Sequence, residues 1–298
     1  RSTLFPCATV FRSVKRIEAA LTRAVAEWSA PAFAPEIRVE DASAYALLGG
    51  GKRLRAMLAL AAGETMGLPA AGAERIAVAV ETLHAYSLVH DDLPAMDDAD
   101  TRRGQPSVHR KFDEVTAILT GDQLLTYALG HLAEVPLALR ALSEAGAQMV
   151  RGQMLDLLSE RDGVALDLAA LERLQAQKTG AIIRFACEAP ALVAHDATAS
   201  SALRAFGVHL GLAFQITDDI LDAVSDAETL GKPAGADAQA GKATFVTVLG
   251  LDAARARSEK EISAAKTALE PLKGHIKGSS AALTFLSSLA DFVLTRRN

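Results

Sequence analysis

The stretch from Leu83 to Gly104 reads LHAYSLVHDDLPAMDDADTRRG. Apolar residues at helical spacing dominate it up to His90, and a run of aspartates and two arginines follows. A second carboxylate cluster, Asp218-Asp219-Ile220-Leu221-Asp222, lies far away in the sequence. If the fold brings the two clusters face to face, they enclose a site suited to a divalent metal and phosphate.

The composition favours a helical protein with a large core. The chain has 298 residues, of which 50% are hydrophobic and only 5% aromatic. Long segments show apolar residues three and four positions apart, and no linker or repeat interrupts them. We therefore predict an all-α, single-domain bundle over residues 13–298. Residues 1–12 are basic and contain no acid, so we expect them to be a flexible remnant of an expression tag or a leader.

Charge and cysteine content argue against several classes of protein. The net charge is −5, and the sequence has no basic stripe with interleaved aromatic residues. We therefore expect no nucleic-acid partner. Cys7 and Cys187 cannot form a disulfide framework, which is typical of a reducing compartment, and we expect a cytoplasmic protein. Arg184 and Glu188 interrupt the most apolar segment, so we expect no membrane span.

The apolar spacing predicts a series of helices separated by glycine and proline residues. Their predicted ranges are 13–28, 57–66, 72 to the first aspartates, 107–119, 122–133, 136–159, 168–194, 201–224, 242–269 and 279–296.

A cationic segment precedes the second of these helices. Gly49-Gly50-Gly51 leads into Lys52, Arg53 and Arg55. Glycines before a helix let the backbone approach a ligand, and the free amides attract anions. The alternative is an ordinary solvated charged surface.

Two histidines lie close to the first aspartates. His84 precedes Asp91 by two helical turns, so both side chains can line one cavity. The alternative is that His84 is an ordinary core residue. His90 lies one position off this face, and we interpret it as structural.

The second cluster has the spacing of a cation site on one helix face. Asp218 and Asp222 are four positions apart, and Gln215 shares their face. Two like charges at this spacing repel each other, so we expect a cation between them.

In the first cluster, Asp97 is six positions after Asp91 and cannot share its face on a continuous helix. We predict that Pro94 interrupts the helix. Arg102 and Arg103 follow, where they can bind phosphate. A solvated acidic loop or a calcium site is the alternative, but two clusters of the same type favour magnesium with phosphate.

Taken together, these motifs resemble those of the trans-isoprenyl diphosphate synthases, most closely those of bacterial type that make farnesyl diphosphate. The resemblance extends from Gly50 to about Thr247. It rests on Gly50-Gly51-Lys52-Arg53-Leu54-Arg55, the 91–104 segment, Gly152-Gln153-x-x-Asp156, Lys178-Thr179-Gly180, Phe214-Gln215-x-x-Asp218-Asp219-x-x-Asp222, Gly231-Lys232-x-x-Gly235-x-Asp237 and Gly241-Lys242. Only residues 125–149 fit poorly, because the segment is shorter than the resemblance leads us to expect.

The resemblance implies an isoprenoid synthase fold, a helical bundle around a deep central cavity. It implies a homodimer, and it implies three Mg²⁺ ions that bind the diphosphate of an allylic substrate. The implied metal ligands are Asp91, Asp92 or Asp97, Asp218 and Asp222, with Asp219 in the catalytic set. The implied contacts to the allylic diphosphate are Arg102, Lys178, Thr179, Gln215, Lys232 and Lys242, and those to isopentenyl diphosphate are Gly51, Lys52, Arg55, His84 and Arg103.

The resemblance also implies a product length. Tyr86 and Ser87 occupy the positions that form the floor of the tail pocket in this family, and a tyrosine there is typical of fifteen-carbon synthases. Ordinary core packing of Tyr86 is the alternative. A geranylgeranyl diphosphate synthase, a non-catalytic synthase subunit and a class I terpene cyclase remain alternatives for the whole protein.

Overall fold

A computed structural model describes residues 7–28, 37–164, 166–230 and 243–295. The described chain is almost entirely helical, which confirms the all-α prediction. Lys232 and Lys242, both predicted phosphate ligands, lie outside the described residues. The helices are α1 (Cys7–Trp28), α2 (Ile37–Leu48), α3 (Leu54–Thr65), α4 (Ala70–Asp91), α5 (Val108–Lys111), α6 (Glu114–Gly130), α7 (Pro136–Asp162), α8 (Leu168–Gln175), α9 (Ala181–Val193), α10 (Ala197–Leu230), α11 (Phe245–Leu249), α12 (Leu251–Ala268) and α13 (Ser280–Thr295).

The first helix begins earlier than the sequence predicted. α1 includes residues 7–12, which were expected to be flexible, because the apolar spacing continues back to Val10, and Val10 packs against the core. The helix therefore begins at Cys7 and not at residue 13, whereas the assignment of residues 1–12 to a flexible remnant stays a prediction. The assignment of residues 13–298 to one domain remains a prediction.

The helix boundary between 107 and 133 was also placed wrongly. The sequence suggested a break near Gly121, but the break falls at Phe112 and Asp113. Asp113 caps α6 by accepting a hydrogen bond from the Thr116 amide at 2.6 Å, which is a strong start signal for a helix. Gly121 lies inside α6, where it leaves room for the ring of His90.

The predicted helix over 168–194 is interrupted by a π-helical turn, Ala176–Gly180. This turn separates α8 from α9 and contains two predicted site residues, Lys178 and Thr179. Such turns widen the helix and are frequent at functional sites.

The buried helix α4 lies at the centre of the bundle. It packs against α3, α6 and α9, and its buried residues, among them Ile76, Val80 and Leu83, lie on every side. α10 packs against α9 and α12 on the other side of the cavity. The end of α4 and the middle of α10 carry the two aspartate clusters.

A two-residue hairpin turn follows the first cluster. The strands Thr101–Arg102 and Gln105–Pro106 pair antiparallel, and the turn residues Arg103 and Gly104 have φ angles of 54° and 75°. Positive φ at both central positions is required by a type I′ turn. This hairpin was not predicted from the sequence.

None of the helices in the described ranges combines the length and the apolar character that crossing a bilayer requires.

Candidate active site

Both aspartate clusters contribute to one cavity of about 390 Å³. Asp91 lies on its α4 wall and Asp218 on its α10 wall, as the sequence predicted. The other predicted site residues that line this cavity are Arg55, His84, Tyr86, Ser87, Lys178, Thr179 and Gln215.

The first cluster is formed by the end of α4. The helix ends at Asp91, and the Asp97 amide donates to the Asp91 carbonyl oxygen at 2.9 Å, so the turn folds back on the helix end. Burial raises the pKa of Asp91 to about 6; Lys178 opposes this effect and the neighbouring Asp97 adds to it. A carboxylate in this setting is stabilised in its charged form by a cation.

Asp92 forms an internal ion pair. Its side chain is buried, and Arg102 Nε donates to Asp92 Oδ1 at 3.0 Å while Nη2 donates to the same oxygen. Arg102 was predicted to bind the allylic diphosphate, and here its guanidinium bonds to Asp92. Because Asp92 is held by Arg102, Asp91 and Asp97 are the better candidates for ligands in this cluster.

Asp219 has a similar internal role in the second cluster. One carboxylate oxygen accepts the Phe245 amide at 2.7 Å, and the other accepts from Gln215 at 3.4 Å. Burial raises its pKa to about 6. Thr179 in turn donates to Gln215 Oε1 at 3.1 Å. Asp219 therefore joins α10 to the start of α11.

A second cavity of about 200 Å³ adjoins the first beside α10. Asp222 lines it and is exposed, whereas Asp218 faces the larger cavity. Three residues line both cavities: Lys178, Thr179 and Gln215.

Lys178 is ion-paired with Asp156 of α7. The π turn lies close against α7 at Gly152, where an added Cβ would lie 2.3 Å from the Lys178 backbone nitrogen. Asp156 was not predicted as a site residue, although the Gly152-Gln153-x-x-Asp156 motif places Gly152 and Asp156 one helical turn apart. That spacing is the signal by which Asp156 could have been found.

His84 and Arg55 form the cationic end of the large cavity. Arg55 Nη1 is 3.4 Å from His84 Nε2. Because a guanidinium only donates, Nε2 is the acceptor and the ring is neutral. Burial, followed by Arg55 and Arg103, lowers the pKa of His84 well below its ordinary value. Arg55 Nε is buried and has no hydrogen-bond partner among the residues that the structure describes.

The glycine segment before α3 lies beneath Arg103. A Cβ at Gly51 would lie 2.8 Å from Arg103 Cζ, and Arg103 Nη1 donates to the Gly50 carbonyl oxygen. Gly51 has a φ of 124°, which strongly favours glycine. The glycines therefore accommodate an arginine side chain in this structure.

The three neighbouring cations divide into two roles. Lys52 is exposed and, with Arg55 and Arg103, lines a further cavity of about 200 Å³. Arg53 was counted among the cations that attract an anion. It also lines this cavity, but its side chain is buried, donates to Glu18 at 2.7 Å and lies 3.4 Å from Glu81.

Tyr86 lies partly buried in the cavity wall beside Ser87. Its ring meets the ring of His90 edge to face at 5.0 Å between centroids. His90 Nε2 is 3.0 Å from the Ile118 carbonyl oxygen, and the ring also lines the large cavity, so its structural role stays a prediction. The role of Tyr86 and Ser87 in limiting product length stays a prediction.

The carboxylates fit a cation that takes part of its coordination from a substrate. Across the described ranges, no three His, Cys, Asp or Glu side chains are grouped closely enough to hold a metal ion. Magnesium ordinarily binds one or two carboxylates together with phosphate oxygens and water. Asp91 and Asp218, on two walls of one cavity, have the donor chemistry for this type of binding.

Comparisons with known proteins show the family to which this chain belongs. The family model described as polyprenyl synthetase matches residues 36–275. The farnesyl diphosphate synthase of Escherichia coli (strain K12) is 42% identical over 95% of this chain and 96% of its own length. Geranylgeranyl pyrophosphate synthase 9, chloroplastic, of Arabidopsis thaliana is 37% identical over 97% of this chain and 81% of its own length.

A solved structure agrees as well. An FPP/GFPP synthase from Zymomonas mobilis superposes with a TM-score of 0.84 at 34% identity, covering 96% of this chain and 99% of that one. The helices, the shared cavity and these matches lead to one conclusion: the chain belongs to the polyprenyl synthetase family.

Proposed function

We propose that this protein is a farnesyl diphosphate synthase. It transfers the allylic chain of dimethylallyl or geranyl diphosphate to isopentenyl diphosphate and releases diphosphate. The observation that carries the proposal is the single cavity in which Asp91 and Asp218 lie together with Arg55, His84 and Lys178. Carboxylates and cations that share a cavity with apolar walls suit a diphosphate with a hydrocarbon tail.

The two diphosphates bind at different ends of this site. Lys178, Thr179 and Gln215 line both cavities beside α10, so the allylic diphosphate binds there. Arg102, which here bonds to Asp92, and Lys232 and Lys242, which lie outside the described residues, are the further contacts that the family resemblance implies for this diphosphate. Isopentenyl diphosphate binds at the cationic end, where Lys52, Arg55, His84 and Arg103 line one cavity. Gly51 lies beneath Arg103 and, because it has no side chain, leaves room for that guanidinium, which donates to the Gly50 carbonyl oxygen.

The residues that would hold magnesium are Asp91, Asp97 and Asp218, with Asp222 in support and three ions per site. When bound, these ions neutralise charge on the departing diphosphate. Lys178 adds a cation at the same place, held there by Asp156.

The remaining residues position the substrates and exclude water. Met149, Ile182 and Phe214 give the cavity apolar walls that protect the allylic cation from water. Neutral His84 accepts from Arg55 and fixes its guanidinium for the second diphosphate. The cation is attacked by the double bond of isopentenyl diphosphate, and the released diphosphate takes the proton that is lost.

We also infer a homodimer whose interface covers the outer surfaces of α6 and α7. Val115 on α6 is 67% exposed, and Val150 and Met154 on α7 are 52% and 58% exposed. Val150 and Met154 also line the large cavity, so this surface is a thin and apolar part of its wall. A second copy packed here closes the wall against water. Met154→Glu should give monomers by light scattering and reduced activity in the assay, whereas Val208→Glu, at an exposed position on α10, serves as the control.

The location that follows from these proposals is the cytoplasm. The two cysteines offer no disulfide framework, and Cys187 is buried as a free thiol, which is typical of a reducing compartment.

The test is an incubation with Mg²⁺, isopentenyl diphosphate and either starter, followed by chromatography of the products. A linear fifteen-carbon diphosphate supports the proposal, and twenty carbons would support a geranylgeranyl synthase instead. A cyclic hydrocarbon would indicate a terpene cyclase, and no product would indicate a non-catalytic subunit.

Tyr86→Ala should lengthen the main product, because it removes the side chain that limits the depth of the tail pocket. An unchanged product profile would contradict the role of Tyr86 in limiting product length.

A further inference from the structure

We propose that Arg161 is a positioning residue that fixes the spacer of the first aspartate cluster. The inference rests on the proposed function. Arg161 lies in the last turn of α7, and its Nη2 donates to the carbonyl oxygens of Ala95 at 2.9 Å and Met96 at 2.6 Å. These two residues belong to the four-residue spacer Leu93–Met96 between Asp92 and Asp97.

The spacer needs support from outside because it is not helical. Inside the turn, the Met96 amide donates to the Leu93 carbonyl oxygen at 2.8 Å, and the Asp97 amide donates to Asp91. The next residue, Asp98, has a left-handed φ of 46°. These bonds use the amides of the turn and leave the carbonyls of Ala95 and Met96 for Arg161. A charged donor to a carbonyl oxygen is a strong hydrogen bond.

The position of Arg161 is unusual for a basic residue at a helix end. Such residues ordinarily favour the carbonyls and the dipole of their own helix. Arg161 instead connects α7 to the end of α4. The far side of the same segment is held separately by Arg110, which contacts Asp98 at 3.3 Å and Asp100 at 2.6 Å.

α7 is therefore the element that joins both sides of the diphosphate site. Its Asp156 pairs with Lys178, and five residues later Arg161 holds the spacer. Met96 lines the large cavity, so its backbone position affects the tail pocket as well as Asp97. Loss of Arg161 should change magnesium dependence and product length together.

The test compares Arg161→Ala and Arg161→Lys with Arg151→Ala, an exposed arginine on the same helix. For Arg161→Ala we expect the half-saturating Mg²⁺ concentration to rise about tenfold, as the loss of a charged hydrogen bond predicts. The share of products longer than fifteen carbons should also rise, while KM for isopentenyl diphosphate stays within twofold. Arg161→Lys should be less impaired than Arg161→Ala in both measurements, because an ammonium can donate to two carbonyls.

A purely structural role would lower the melting temperature and the active fraction without moving the Mg²⁺ midpoint or the product ratio. That outcome, or an Arg161→Ala variant that matches Arg151→Ala in both readouts, would overturn the proposal.

A second measurement separates this inference from the proposed function. Inorganic diphosphate with Mg²⁺ should raise the melting temperature of the wild-type protein, and Arg161→Ala should show less than half of that rise. If the wild type makes no prenyl product but this difference is present, the proposed function fails and the positioning role stands. Equal rises in the two proteins would refute the positioning role alone.

Discussion

The two aspartate clusters have similar sequences but are built in different ways. The first lies where α4 ends, so a non-helical turn brings Asp97 back toward Asp91. The second lies within α10, where continuous helical spacing places Asp218 and Asp222 on one face. The first cluster therefore depends on bonds from other elements, whereas the second depends on the continuity of one helix.

In each cluster, nevertheless, one aspartate bonds to another part of the protein and stabilises the local structure. Asp92 pairs with Arg102, and Asp219 accepts the amide that begins α11. Of the remaining aspartates, Asp91 and Asp218 line the shared cavity, and Asp222 lines the cavity beside it. The lesson is that the number of carboxylates in such a motif exceeds the number that can face a metal.

The largest expected effect tests whether the two clusters act on one leaving group. Asp91→Ala and Asp218→Ala should each lower kcat by about 10²–10³-fold, because each removes charge stabilisation at the same place. Circular dichroism should show that both variants remain folded. If one variant retained wild-type turnover, the clusters would not serve a common diphosphate.

The next effect tests the continuity of α10. Ile220→Pro should lower the free energy of unfolding by about 3 kcal/mol or more, because proline removes a helical hydrogen bond and clashes with the preceding turn. The matched control Ile220→Val should cost about 0.5–1.5 kcal/mol. Urea denaturation measures both. A small effect of proline would mean that the second cluster does not need an unbroken helix.

A smaller effect distinguishes the two internal aspartates. Asp92→Asn should cost about 1–3 kcal/mol, because Arg102 loses a charged partner at a buried carboxylate. Asp219→Asn should cost less, about 0.5–1.5 kcal/mol, because an amide oxygen can still accept from Phe245. The same denaturation experiment gives both values. The reverse order would show that the bond to α11 is the more important of the two.

Much of the fold and the cavity could be predicted from sequence because the signals are local. The apolar spacing of α4 and the seven-residue separation of His84 and Asp91 place both side chains on one cavity. The helical spacing of Gln215, Asp218 and Asp222 likewise predicts that they share one polar face of α10. Here local geometry and the final structure agree.

The contacts that were missed depend on distant partners. Nothing near Arg53 in the sequence indicates that Glu18 and Glu81 would draw it into the core. The pairing of Asp92 with Arg102 depends on a hairpin turn that returns the chain. Arg161 contacts residues 65 and 66 positions away. Such pairings follow from tertiary packing, which helical periodicity does not encode.

The smallest expected effect concerns Pro94, which was predicted to interrupt α4. Pro94→Ala should cost only about 0.4–1 kcal/mol, chiefly because the unfolded chain becomes more flexible. The turn is also held by the Asp97 amide bond to Asp91 and by Arg161, so α4 should still end at Asp91. Urea denaturation gives the stability, and the half-saturating Mg²⁺ concentration should stay within twofold of wild type. A large rise in the half-saturating Mg²⁺ concentration would show that Pro94 alone ends α4. The Asp97 and Arg161 hydrogen bonds would then be a consequence of the helix end and would not stabilise it.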